Sequence, residues 1–211
     1  MLIALGSCKK EEAPVIDLGY DYFPNTAGTF IIYEVDSTGF DINGETNLVY
    51  EVMEVLAEEF VDGENQLAMK VERYYRMNED DPWVMGNVWV QKRNNSSAQR
   101  VEDNTRYIRM SFPVEVGKTW NGNAYNTMPE WSYKYVSKDT PRVFNGMTFE
   151  KTAEIQQRNN INLIDQEIAS EIYARGVGLI YKHLMDLQVQ QGDITGVDMT
   201  LTIKEFGVLE E

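Results

Sequence analysis

Few residues in this chain have the types and spacing that chemistry needs. His183 is its single histidine and Cys8 its single cysteine in 211 residues. A multi-histidine zinc site is excluded by that count, because borderline metals take nitrogen and sulfur ligands. Serines are present, but no Gly-x-Ser-x-Gly elbow occurs, so a Ser-His-Asp triad would rest on His183 with no spacing to support it. The plainer reading of His183 is a surface or hydrogen-bonded strand residue.

Carboxylates are abundant, with Asp+Glu 34 against Lys+Arg 19. A glycoside hydrolase needs only two of them flanking a sugar cleft, about 5–5.5 Å or 6.5–9.5 Å apart. The spacing along this chain selects no such pair, since most acids fall on polar faces or in loops. The segment Asp36–Glu45 has oxygen ligands near a turn without an EF-hand pattern, and Glu79-Asp80-Asp81 is a charge run, so both read as solvated turns. Gly176-Val177-Gly178 lacks the third glycine, the following helix and the Lys-Ser/Thr of a phosphate loop. No cofactor is implied.

Aromatic residues remain. Trp83, Trp89, Trp131, Tyr133 and Tyr135 offer flat apolar faces that stack on sugars or lipids. Trp83 and Trp89 are separated by an even number of residues, as are Trp131, Tyr133 and Tyr135, so on regular strands each set shares a face. They line a concave ligand surface, or they fill the core of a curled sheet.

The elements that position these side chains read as strands. The chain is 43% hydrophobic and 11% aromatic, enough for one sizeable core. Strands are expected over 29–35, 66–76, 83–90, 98–101, 107–112, 130–137, 142–144, 149–157, 167–173, 177–188 and 198–206, with a turn region bracketed by Thr38-Gly39 and Asn43-Gly44 and a hairpin turn at Asn145-Gly146. Residues 48–61 are ambiguous. Val49, Val52, Met53, Leu56 and Phe60 share a helical face, yet the valines, Tyr50 and the Asp62-Gly63 turn favour half of a hairpin. Gly176 and Gly178 interrupt a strand-like run from Tyr173 to Tyr181, as at a sharp bend, and 167–173 and 177–188 are expected to form a hairpin pair around them. Phe23-Pro24 with Gly28 and Phe30 is echoed by Phe112-Pro113 with Gly117 and Trp120.

Met1-Leu2-Ile3-Ala4-Leu5-Gly6-Ser7-Cys8 is an apolar run ending in small residues, followed by Lys9, Lys10, Glu11 and Glu12. Leu5-Gly6-Ser7-Cys8 resembles a bacterial lipobox, in which cleavage before the cysteine frees a thiol for diacylglyceryl attachment. That resemblance makes 1–7 a residual signal peptide and 8–19 the lipidated cysteine and tether, with a β-rich domain over 20–211. The net charge of −15 repels nucleic acid and anionic headgroups.

The lipobox, the two Phe-Pro segments and Tyr173-Ala174-Arg175-Gly176-Val177-Gly178-Leu179-Ile180 resemble uncharacterised cell-envelope lipoproteins of Bacteroidetes-type bacteria. The resemblance implies an outer-membrane lipid anchor at Cys8 and carries no catalytic residue across. It is similar in pattern to curled-sheet domains, some of which carry lipid or lipoprotein cargo, an analogy of fold only. The expected architecture is all-β, one domain of antiparallel strands in a strongly curled sheet or half-barrel. The expected function is non-enzymatic: an envelope lipoprotein holding an apolar or glycan ligand. A secreted carboxylate-dependent glycoside hydrolase and a structural or adhesion partner are the alternatives.

Overall fold

The structure, a computed structural model, describes residues 16–209; Cys8 and the signal remnant lie outside them. A 3-10 turn, Tyr20–Tyr22, precedes twelve strands: β1 Thr29–Asp41, β2 Gly44–Val61, β3 Leu67–Arg76, β4 Val84–Arg93, β5 Ser97–Glu102 and β6 Thr105–Ser111, then β7 Thr119–Asn121, β8 Ser132–Phe144, β9 Met147–Ile161, β10 Asp165–Ala174, β11 Gly178–Gln190 and β12 Asp193–Val208. All belong to one antiparallel sheet in the order β6-β5-β4-β3-β2-β1-β12-β11-β10-β9-β8-β7. The chain thus winds outward from β1 to one edge, crosses to the other edge at β7, and winds back until β12 pairs with β1.

The sheet curls until its edges nearly meet. Across the seam Ile108 N donates to Gly122 O at 2.9 Å, and Trp120 Nε1 donates to Ile108 O at 3.0 Å. Near-closure removes most of the unpaired edge that a twelve-stranded open sheet would leave. The echoed Phe-Pro segments each lead into the first strand of a six-strand half, β1 and β7. Phe23 and Phe112 are buried in the same cluster, with Tyr22, Tyr133 and Tyr135.

Residues 48–61 are strand throughout. The alternation that wins is Tyr50, Val52, Glu54 and Leu56 on the inner face, and β2 is paired along both sides. Three expectations are corrected. Thr38-Gly39 is not a turn but mid-strand pairing with Asn47 and Thr46, so the β1–β2 hairpin turns once, at Ile42-Asn43. Segments 130–137 and 142–144 are one strand, β8, whose register slips against β9 absorb the irregular middle. Gly176 and Gly178 do not bend a strand but join the two arms of the expected hairpin. They sit at the β10–β11 turn with φ of +73° and +106°, backbone that side-chain-bearing residues rarely adopt.

The N-terminal segment crosses one rim of the barrel, where β1 begins and β12 ends. Arg175 of the β10–β11 turn binds Asp17, Asp21 and Asp139 at 2.6, 2.7 and 2.8 Å. Arg93 Nη1 donates to the carbonyls of Tyr20 and Phe23, both at 2.8 Å. Asp17, assigned by sequence to the tether, is therefore docked against the domain, and Leu18 O accepts from Val114 N at 3.1 Å.

Gly122 shows how tightly the seam is set. A Cβ there would lie 2.4 Å from the Tyr133 ring, which is fully buried. Gly122→Ala is expected to cost about 1–3 kcal/mol in urea unfolding through overpacking, whereas Gly63→Ala, with open space around it, leaves the midpoint unchanged.

Candidate functional site

Inside the barrel is a cavity of 420 Å³, within the roughly 300–1,000 Å³ of small-molecule sites. Its two walls differ. β1, β2 and β12 supply Ile31, Tyr33, Val35, Val52, Leu56 and Leu201, an apolar wall interrupted by Glu54 of β2. β3 to β6, with β10 and β11, supply Arg73, Arg100, Glu102, Arg109, Glu171 and Lys182. Of all the lining residues, only Gly176, Phe206 and Val208 are exposed, and all three lie at the rim crossed by the N-terminal segment. The mouth is there.

The charged wall is a chain of buried pairs. Glu54 accepts from Arg73 Nε at 3.0 Å and from Arg100 Nη1 at 2.8 Å. Arg100 Nη2 also reaches Gln91 Oε1 at 2.9 Å, and Gln91 in turn donates to Pro24 O at 2.7 Å. Arg109 lies between Glu102 at 2.5 Å and Glu171 at 3.2 Å. The second Glu171 oxygen accepts from Tyr173 OH at 2.6 Å, and Lys182 Nζ is 3.8 Å from the first. Such pairs persist away from bulk water because each charge meets its opposite and its hydrogen bonds are filled.

Burial alone pushes both carboxyls up, but the neighbouring cations prevail. Arg109, Lys182 and Arg100 hold Glu102 down at about 2. Arg109, Lys182 and the Tyr173 hydroxyl hold Glu171 below the usual range. Both are carboxylates at neutral pH.

The aromatic candidates separate. Trp89 lines the cavity with Arg73 packed 3.7 Å over its ring. Trp83 does not; it precedes β4 and stacks under Arg76, 4.3 Å away, whose guanidinium pairs with Glu51. The shared-face expectation fails because β4 carries one extra residue against β3, at Gly86-Asn87, which reverses the alternation. Gly86 is required there, since a Cβ would fall 2.3 Å from the Tyr75 ring.

Tyr133 and Tyr135 are fully buried and pack on Trp120, with ring centroids 5.8 and 4.6 Å from it. Tyr135 OH donates to Ser111 O at 3.1 Å, tying β8 to the end of β6. Trp131 packs against the same cluster and carries Arg158 3.7 Å over its ring. These three are core, beside the cavity and not in its lining. His183 pairs with Asp198 at 2.9 Å. Asp41 accepts from Asn43 N within the first hairpin turn, and Glu79 binds Lys204 at 2.5 Å.

No motif marks the charged wall in the sequence. Its signal was charge in phase with the apolar alternation: Glu54 between Val52 and Leu56, Arg73 between Val71 and Tyr75, Glu171 between Ala169 and Tyr173. A charge on the apolar face of a strand is expensive unless paired, so each such position implies a partner across the interior.

Arg109→Met leaves two buried carboxylates without their common partner and is expected to cost about 3–5 kcal/mol at pH 7. Because the folded Glu102 pKa is depressed from 4.5 to about 2, the pair's contribution is full above pH 4.5 and fades as pH falls toward 2. Denaturant unfolding of wild type and variant across that window should show the deficit shrinking as pH drops.

No family model matches the chain, and no curated protein matches it. Two solved structures are similar to it. One is an exported protein with a YmcC-like fold from Bacteroides fragilis, 10% identical with a TM-score of 0.47. The other is a lipoprotein from Parabacteroides distasonis, 12% identical with a TM-score of 0.48. Each alignment covers 88% of this chain and 98% of the other.

Proposed function

We propose that this protein is a non-enzymatic lipoprotein of the bacterial cell envelope, a container whose barrel holds a ligand with an elongated apolar part. The cavity carries the reading. It follows β1 from Thr29 to Val35, about 20 Å at roughly 3.3 Å per residue, with apolar side chains along one wall and an opening at one rim.

The lipobox-like Cys8 supplies the anchor. Asp17, which Arg175 fixes beside Gly176 at the mouth, follows it after eight intervening residues. A fully extended chain of that length spans only about 30 Å. The anchor therefore keeps the mouth close to a bilayer, a source of long apolar molecules.

Glycoside hydrolysis is the weaker reading. It needs one carboxyl held protonated near neutral pH as general acid, whereas the cavity's Glu102 and Glu171 are pushed the other way by Arg109. The aromatic surface that would grip a glycan is also divided, since Trp89 faces the cavity, Trp83 stacks beneath Arg76, and Tyr133 and Tyr135 are core.

The test is native mass spectrometry of the full chain carrying Cys8→Ser, exposed to an envelope lipid extract. A discrete adduct is expected. It should be lost on Leu201→Trp, which fills the cavity, and kept on Trp83→Ala. An unmodified spectrum, or an adduct indifferent to Leu201→Trp, contradicts the container.

A further inference from the structure

We infer that the cavity selects an anionic amphiphile, a long apolar chain ending in a carboxylate or phosphate, and that Lys182 receives its head. This rests on the container reading above and names its ligand class.

The observation is an imbalance of charge. The chain as a whole carries −15, yet the cavity lining has four cations, Arg73, Arg100, Arg109 and Lys182, against three carboxylates, Glu54, Glu102 and Glu171. Each arginine makes a charge-assisted hydrogen bond to one of those carboxylates. Lys182 does not. Among the described residues its ammonium has no hydrogen-bond partner, and Glu171 stands 3.8 Å away, already bonded to Arg109 and Tyr173. A second unfilled donor, Arg100 Nε, is buried on the same wall. The Lys182 side chain is 21% exposed, so its ammonium is open to a ligand, whereas Arg100 Nε is a buried donor without an acceptor, which is rare in folded proteins.

Position favours an amphiphile over a small free anion. Lys182 pairs with Leu201 of β12 and, through it, lies level with Val35 of β1. The head would sit against Lys182, at the border of the apolar wall beside Leu201. The apolar chain would then run past Val35, Tyr33 and Ile31 toward the mouth at Phe206 and Val208. A neutral chain of equal length fills the same wall but brings the Lys182 ammonium no counter-charge. Discrimination of that kind is what a site built for a charged hydrogen bond delivers.

The experiment compares heads on one chain length. The full chain with Cys8→Ser is titrated with the fluorescent fatty acid cis-parinaric acid, and the bound probe is displaced by palmitate, hexadecyl phosphate or hexadecanol. Palmitate or the phosphate should displace it at least ~10-fold more effectively than the alcohol, as a charge-assisted bond implies. Lys182→Gln should remove that preference while leaving hexadecanol unchanged, and Lys182→Arg should restore it. Which of the two anions competes better separates a fatty-acid head from a phospholipid-type head. Equal displacement by all three, with Lys182→Gln binding like wild type, overturns the anionic head and leaves the container standing. If inorganic phosphate alone displaces the probe as well as its hexadecyl ester, the chain contributes nothing and the amphiphile is overturned. No probe binding at all overturns the container itself.

Discussion

Arg109 is the side chain on which the closed shape most depends. β6 and β10 are far apart in the sheet order, separated on the short side by the seam and three strands. Arg109 of β6 nevertheless reaches Glu171 of β10 across the interior while holding Glu102 of β5. The sheet's ladder pairs neighbours only. A cross-barrel ion pair with buried partners is a fixed distance between strands that the ladder leaves free, and it costs heavily to break because the carboxylates stay behind without their counter-charge. The Ile108–Gly122 and Trp120–Ile108 hydrogen bonds complete the same closure at the edges.

Closure of this kind explains why the interior is not simply a core. One half is filled: the N-terminal segment lays Tyr22 and Phe23 over Tyr133, Tyr135, Ala153 and Ile155. The other half keeps its space, lined by the apolar side chains of β1, β2 and β12 and by the ion pairs of Glu54 with Arg73 and Arg100 and of Arg109 with Glu102 and Glu171. A barrel interior lined by methyl groups on one side and ion pairs on the other is amphipathic across its width. That is the chemical shape of an amphiphile turned inside out.

Much of this architecture was legible in the sequence because a period of two is hard to disguise. The strand positions, their antiparallel succession and the curl followed from alternation and turn residues. The places that misled were those where alternation breaks. Gly86-Asn87 adds a residue to β4 and sends Trp83 to the opposite face from Trp89, which no count of residues reveals without the partner strand. β7, only three residues long, carries too few positions to show a period. The flanks of Gly176 and Gly178 are so alike that they read both as one bent strand and as the two arms of a hairpin; they are the hairpin. The cavity was legible only as charges lodged in apolar phase, and the pairing of Arg109 with Glu171 across the barrel depends on closure, which sequence does not supply.

The container is tested most directly by methyl-labelled NMR of the full chain carrying Cys8→Ser, titrated with palmitate. Ile31, Leu56, Leu179 and Leu201 line the cavity, while Ile161, Leu163 and Ile194 are exposed on the outside. The account predicts saturable shifts confined to the first group. Shifts confined to the second group, or none in either, would contradict it.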